Sequence, residues 1–154
     1  VWSEFNLEEN IWTIPAERMK SRIEHRRPLS NRAMDIIRAM EAAMCSDWVF
    51  PSTRYGKPLS DGAMAAVLRR MGRSDITVHG FRSTFRDWAA EQTNAPNIVA
   101  EAAMAHTVGN KVEAAYRRGD LFDKRAKLLE NWAAYTQSQP ASVTPITQRK
   151  PKTA

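Results

Sequence analysis

Residues 78–88 read VHGFRSTFRDW and place His79 and Arg82 three positions apart, where a turn runs into a predicted helix. Residues three apart share one face of a helix, so the imidazole and the guanidinium can point at the same object. The start of a helix offers free N–H groups and partial positive charge, and Gly80 permits close approach to the backbone. The pattern leaves two interpretations open: an anion site suited to phosphate, or a surface arginine beside a capping histidine.

The hydrophobic periodicity on both sides of this stretch predicts a mostly helical chain. Ser30 is placed to cap a first helix, and Thr77 is placed to cap the helix that carries Arg82. Ser60 is expected to cap the helix between them, which ends at Gly72 and buries Met64, Val67, Leu68 and Met71. Pro96 suits the first turn of a fourth helix. Residues 111–118 and 120–135 predict two more helices, with Gly119 between them.

The first 28 residues predict a small antiparallel sheet. Residues 1–5, 11–14 and 23–28 are short runs rich in β-forming residues, and residues 6–10 are typical of a hairpin turn. Residues 16–22 are then expected to form a turn that projects from the sheet. The predicted fold class is mainly α with a small N-terminal antiparallel β-sheet (α+β). We expect residues 1–136 to form one domain and residues 137–154, without periodicity, to form a flexible basic tail.

Composition narrows the class of protein. The chain has 154 residues, a formal charge of +6 and 43% hydrophobic residues, which suits one domain with a buried core. The single Cys45 excludes an internal disulfide framework and a cysteine-rich zinc site. No apolar run approaches the roughly 18 residues of a membrane span and no signal peptide is visible, which predicts a cytoplasmic protein without membrane contact. Residues 17–32 are rich in Lys and Arg, as in a solvated face or a surface that follows a phosphate backbone.

Two later motifs add to the first. MAHTVGN, residues 104–110, holds His106 in a predicted loop, and KVEAAYRR, residues 111–118, places Tyr116 beside small alanines and before two arginines. With TVHGFR, residues 77–82, these motifs resemble the C-terminal half of the catalytic domain of tyrosine recombinases (phage integrases). The first 30 residues look like the strand region that precedes those motifs in integrases of temperate and satellite phages and of genomic islands. The resemblance covers residues 1–135 and rests on four features in the right order.

The resemblance implies a role for each matching residue. Tyr116 matches the nucleophile that forms a 3′-phosphotyrosyl link to DNA, and Arg82 matches the second arginine that clamps the scissile phosphate. His79 matches a residue assigned to proton handling, and His106 matches a histidine or tryptophan that hydrogen-bonds the phosphate. Lys20 matches the lysine that protonates the leaving oxygen. Lys111 is a distant second choice for that acid, and His25 is expected to be structural.

Cleavage of a phosphodiester by a tyrosine requires the same kinds of groups. A tyrosine with a pKa near 10 is scarcely ionised at pH 7, so the nucleophile needs a base or a cationic setting. The displaced alkoxide needs an acid, and the charge on the pentacoordinate phosphorus needs preorganised donors. This chemistry requires no cofactor and no metal, and the sequence shows no acidic cluster of the kind that two-metal nucleases use. The implied partner is double-stranded DNA, with the full-length protein assembled as a homotetramer on it.

Several expectations stay open at this level. The chain begins at Val1 within a predicted strand, so we expect a fragment truncated before the family's first catalytic arginine. Such a fragment should bind DNA weakly and show little strand cleavage. A type IB topoisomerase shares the chemistry, and a nonenzymatic DNA-binding or regulatory module with vestigial catalytic residues is the alternative from another class. The helix predicted at residues 120–135 can pack on its own chain or on a neighbouring protomer.

Overall fold

The computed structural model describes residues 1–106 and 119–138. The described part of the chain contains three strands and five α-helices in the order β1–β2–β3–α1–α2–α3–α4–α5. Their bounds are β1 Phe5–Asn6, β2 Ile11–Ile14, β3 His25–Pro28, α1 Asn31–Ala42, α2 Ala63–Arg70, α3 Gly80–Gln92, α4 Asn97–Ala103 and α5 Phe122–Gln137. The prediction of a mainly helical chain with a small antiparallel sheet at its front is confirmed. No described helix is long and apolar enough to cross a membrane.

The three strands form one antiparallel sheet in the order β1–β2–β3. Phe5 lies opposite Trp12, and the two rings stack with centroids 5.4 Å apart. The prediction of a strand over residues 1–5 was wrong for most of its length, because Trp2–Glu4 form a 3₁₀ helix. The Trp2 N–H donates to the Asp47 carbonyl at 3.0 Å, so the chain start is bonded to the loop after α1 instead of to β2.

The first helix begins as the sequence predicts and the second does not. The Ser30 hydroxyl accepts a hydrogen bond from the Ala33 N–H at 3.3 Å, which is the capping contact expected for α1. In contrast, α2 begins only at Ala63 and has no side-chain cap, so the Ser60 cap was wrong. Its apolar side was also predicted to be buried, yet Met64 and Met71 are 59% and 67% exposed. The predicted end is confirmed, since Gly72 has φ +70° and closes the helix.

The main core lies between α3, α4 and α5. Its buried side chains are Phe85, Trp88, Ala89, Val99, Ala100, Ala103, Met104, Leu128 and Leu129. Trp132 packs edge-on against Phe85, with ring centroids 5.5 Å apart, and tilted by 56° against Trp88, with centroids 5.0 Å apart. The α5 helix also contacts α1 and β3 of the same chain. Residues 139–154, the bulk of the predicted tail, lie outside the described residues.

Candidate active site

Arg82 and His106 meet although 24 positions separate them in the chain. Arg82 lies in the first turn of α3, and its Nε donates to His106 Nε2 at 3.2 Å. A terminal N–H of the same guanidinium donates to the Met104 carbonyl. The turn after α4 presents both acceptors, and Ala105 in that turn has φ +55°. The structure therefore brings together the arginine and the second histidine that the sequence motifs singled out.

His79 stands at the same place, one residue before α3. The Thr77 hydroxyl accepts from the Gly80 N–H at 3.1 Å, which fixes the turn that leads into the helix. His79, Arg82 and His106 line one open cavity of about 210 Å³, together with Ser83, Arg86, Asp87 and Met104. Arg82 and His79 are exposed, so the cavity presents their polar atoms to solvent. A cation-rich cavity beside a helix start is a suitable place for an anion.

Glu101 is a site residue that sequence reasoning missed. From α4, one oxygen of its carboxylate accepts from Arg86 Nε at 2.5 Å, and the other lies 2.6 Å from His106 Nδ1. Burial would raise the pKa of Glu101, but the hydrogen bonds from His106 and Arg86 outweigh it and hold that pKa below its usual value. The available signals were the spacing of Arg86, four residues after Arg82, and an acid on the helix before His106. Neither signal predicts that Glu101 contacts Arg86 and His106 unless the fold is known.

Lys20 lies in the turn between β2 and β3 and is exposed. The structure does not bring it into contact with Arg82 or His106. Its chain neighbours Met19 and Ser21 do line a second cavity, of about 600 Å³, and His106 lines that cavity as well. The turn that carries Lys20 and the loop that carries His106 thus face the same space.

His25 and Arg27 extend along β3 close to these groups. The pKa of His25 is lowered, first by burial and then by the charges of Arg125 and Arg27. The pKa of Arg27 is lowered by burial and by the charges of Arg82 and Arg125. Arg27 therefore adds positive charge near Arg82, a contribution that the basic run at residues 17–32 hinted at but could not locate.

A buried arginine links the sheet to the start of α5. Arg125 is 1% exposed, and its guanidinium donates to the Arg26 carbonyl at 2.6 Å and to the Asp120 carbonyl at 2.7 Å. A third bond, also at 2.7 Å, goes to the Asp120 carboxylate. Gly119 and Asp120 line the larger cavity beside His106. The clamp therefore fixes residues 119–120 at the cavity edge.

Known proteins of similar sequence indicate the family of this chain. A model of the phage integrase family matches residues 1–121. The chain belongs to the phage integrase family. Prophage integrase IntA of Escherichia coli (strain K12) is 33% identical over 135 residues, which cover 86% of this chain and 32% of that protein. The integrase of Enterobacteria phage P4 is 28% identical over 152 residues, covering 87% of this chain and 35% of the phage protein.

The chain spans about a third of the length of these curated relatives. No solved structure matches it significantly. Membership of the phage integrase family confirms the resemblance drawn from the motifs. Of the five site residues that the resemblance implies, the structure groups His79, Arg82 and His106 and places Lys20 on a turn beside a neighbouring cavity. The fifth, Tyr116, lies outside the described residues, as does Lys111.

Proposed function

We propose that this member of the phage integrase family is part of a site-specific DNA recombinase. It cuts and rejoins double-stranded DNA through a 3′-phosphotyrosyl intermediate on Tyr116. The observation that carries the proposal is the Arg82–His106 contact of 3.2 Å at the mouth of a cavity that His79 also lines. The similarity of the chain to prophage and phage integrases supports the proposed class of protein.

In the proposed reaction, the Tyr116 oxygen attacks the scissile phosphorus and displaces the 5′ oxygen of the next nucleotide. The phenol proton passes to His79, and Lys20 gives a proton to the leaving 5′ alkoxide, which departs as a hydroxyl. Rejoining is the reverse: a 5′ hydroxyl attacks the phosphotyrosine and releases the phenol. Bonds formed and broken balance in each step, so the energy of the phosphodiester is kept in the covalent intermediate.

Arg82 and His106 are the proposed phosphate donors. When negative charge accumulates on the phosphoryl oxygens, fixed N–H groups at a helix start stabilise it without reorganising. Removing one such donor typically costs a factor of about a hundred to a thousand in rate. Arg82 already bonds to the α4 turn through two of its nitrogens, so its guanidinium is held in position before the phosphate arrives.

Chain geometry supports Tyr116 as the nucleophile. His106 and Gly119, the described residues that flank the segment containing Tyr116, line the same cavity. Tyr116 is three residues before Gly119, and three residues of chain reach at most about 11 Å. The Arg125 clamp holds residue 120 at that cavity edge. Chain connectivity therefore keeps residue 116 within reach of this cavity edge, which supports the proposed role of Tyr116.

The full-length protein is proposed to act as a homotetramer on DNA, with a further phosphate-clamping arginine contributed from before Val1. Without that arginine, we expect this chain to bind DNA weakly and to cleave it at least about a hundredfold more slowly than a longer chain that carries it. Basic residues contacting phosphates should make the binding weaken as salt rises.

A pool of random-sequence duplexes, each with one nick, tests the proposal without knowledge of the attachment site. A nick near the cleavage point lets the short product diffuse away and traps the covalent adduct. We expect a slow, detergent-resistant adduct whose linkage maps to Tyr116 by peptide mass spectrometry. Tyr116→Phe should abolish the adduct and leave DNA affinity unchanged, while the matched variant Tyr135→Phe should retain it.

The other outcomes favour the alternatives. If neither the unaltered chain nor a longer chain that carries the further arginine forms an adduct, and both bind DNA, the protein is a nonenzymatic DNA-binding module. If the adduct persists in Tyr116→Phe, the assignment of the nucleophile is wrong. Relaxation of supercoiled plasmid by the chain, without a second recombination site, would indicate topoisomerase activity instead.

A further inference from the structure

The carboxylate of Glu101 connects two cationic side chains of the candidate site. It accepts from Arg86 Nε at 2.5 Å through one oxygen and faces His106 Nδ1 at 2.6 Å through the other. A backbone contact joins the same two residues, since the backbone N–H of His106 donates to the backbone carbonyl of Glu101 at 3.0 Å. The Glu101 side chain is 19% exposed, compared with 43% for the His106 side chain. The acid therefore lies behind the imidazole and away from the open cavity.

These contacts favour one of the two neutral tautomers of His106. An ionised carboxylate only accepts hydrogen bonds, so Nδ1 must be the donor in the 2.6 Å contact. In the neutral ring Nε2 is then the acceptor, and it receives the Arg82 Nε–H at 3.2 Å. A further proton taken up by the ring must go to Nε2, the atom on the cavity side. Glu101 thus leaves Nε2 as the nitrogen that can take a second proton and donate to a phosphate oxygen, once the Arg82 Nε–H turns from it to the phosphate.

We infer that Glu101 is a positioning residue: it sets the tautomer and orientation of His106 and, through His106, the direction of the Arg82 guanidinium. The inference rests on the proposed function only in identifying the cavity's ligand as a phosphate. Arg86 contributes to the same positioning of His106. By holding the other carboxylate oxygen, it keeps Glu101 ionised and prevents rotation away from the ring.

The tautomer is directly measurable because the chain has only three histidines, His25, His79 and His106. Long-range ¹H–¹⁵N spectra of the full chain, at a pH where the rings are neutral, distinguish a protonated Nδ1 from a protonated Nε2. Single His→Gln variants assign the three rings. We expect His106 to be held in the Nδ1–H form, which is the minor form of an unconstrained imidazole. A dominant Nε2–H form in the unaltered protein overturns the inference, whatever the variants do.

Glu101→Gln is the matched substitution, because its amide group can donate to Nδ1. We expect His106 to shift toward the Nε2–H form, which places two N–H groups against each other at the Arg82 contact. Affinity for inorganic phosphate should fall about tenfold, the loss of roughly one hydrogen bond to a charged group. Glu91→Gln removes the same charge from an exposed position on α3 and should change neither the tautomer nor phosphate affinity.

The failure of this inference can be separated from failure of the proposed function. If Glu101→Gln keeps the Nδ1–H form with its backbone spectrum unchanged, the positioning role is rejected, and the Tyr116 adduct assay still stands. If no Tyr116 adduct forms, the tautomer measurement is unaffected. Should Glu101→Gln fold poorly, Arg86→Gln serves in its place. It leaves the carboxylate on His106, so we expect the Nδ1–H form with a larger population of other ring orientations. An Arg86→Gln spectrum in which the Nε2–H form dominates contradicts the assigned roles.

Discussion

Replacement of Arg125 by methionine gives the sharpest prediction about stability. The guanidinium is 1% exposed, so every hydrogen bond it makes replaces one to water. Methionine fills a similar volume but leaves the Arg26 and Asp120 carbonyls without their donor. Removing one partner from a buried charged network typically costs about 3–5 kcal/mol. Asp120 retains access to water, with its side chain 45% exposed, so we expect the lower end, about 3 kcal/mol.

Urea unfolding followed by tryptophan fluorescence measures this free energy, since Trp88 and Trp132 report on the core beside α5. In a domain of this size, about 3 kcal/mol also lowers Tm by roughly 10 °C. Lys124→Met is the control, because Lys124 is exposed on the same helix and should shift stability by less than about 0.5 kcal/mol. A loss below about 1 kcal/mol in Arg125→Met would refute the clamp. Asp120→Asn combined with Arg125→Met should cost less than the sum of the single changes.

Three further changes have definite expected results. Trp88→Ala should destabilise the protein by about 3–5 kcal/mol in urea, whereas Tyr135→Ala, 51% exposed at the same cluster, should cost about 1 kcal/mol. Ser30→Ala removes the α1 cap and should cost about 1 kcal/mol, with Ser3→Ala as the exposed control. Burial lowers the pKa of His25 below its ordinary value of 6.5, so the folded state binds fewer protons than the unfolded state. The contribution of His25 to the free energy of unfolding is therefore fully present above pH 6.5 and declines as pH falls below it. His25→Gln should remove this decline, which urea midpoints measured above and below pH 6.5 would show.

The local signals in the sequence located most of the elements. Ser30 and Gly72 act as predicted because a cap contact and a left-handed glycine depend on neighbouring residues alone. The residues of α2 show that local signals do not predict burial. Its apolar spacing is that of a buried face, yet Met64 and Met71 are exposed, because periodicity predicts which side is apolar and not whether another element covers it. The prediction of a strand over residues 1–5 failed for a similar reason, since the backbone N–H of Trp2 bonds to Asp47, which is distant in the sequence.

The sequence predicted which residues belong to the candidate site but not how their side chains are arranged. The motifs named His79, Arg82 and His106 because each is a recognisable donor at a helix boundary or in a loop. Glu101, Arg86 and Arg125 were not named, because their importance comes from contacts across elements. Glu101 is one acid among 17 in the chain, and nothing near it in sequence distinguishes it. Only the packing of α3 on α4 places its carboxylate between Arg86 and His106.

The arrangement of charge gives a physical reason to associate this surface with an anion. Arg27 lies in a partly buried position where the charges of Arg82 and Arg125 oppose its own. Like charges held close together disfavour the folded chain in isolation, and burial reduces the screening that would weaken their repulsion. Glu101 and Asp120 offset part of this cost at Arg86 and Arg125. A ligand that carries negative charge, such as the proposed phosphodiester, would relieve part of the remaining repulsion. The repulsion between Arg27 and Arg82 is therefore consistent with the proposed binding of an anion in the cavity that Arg82 lines.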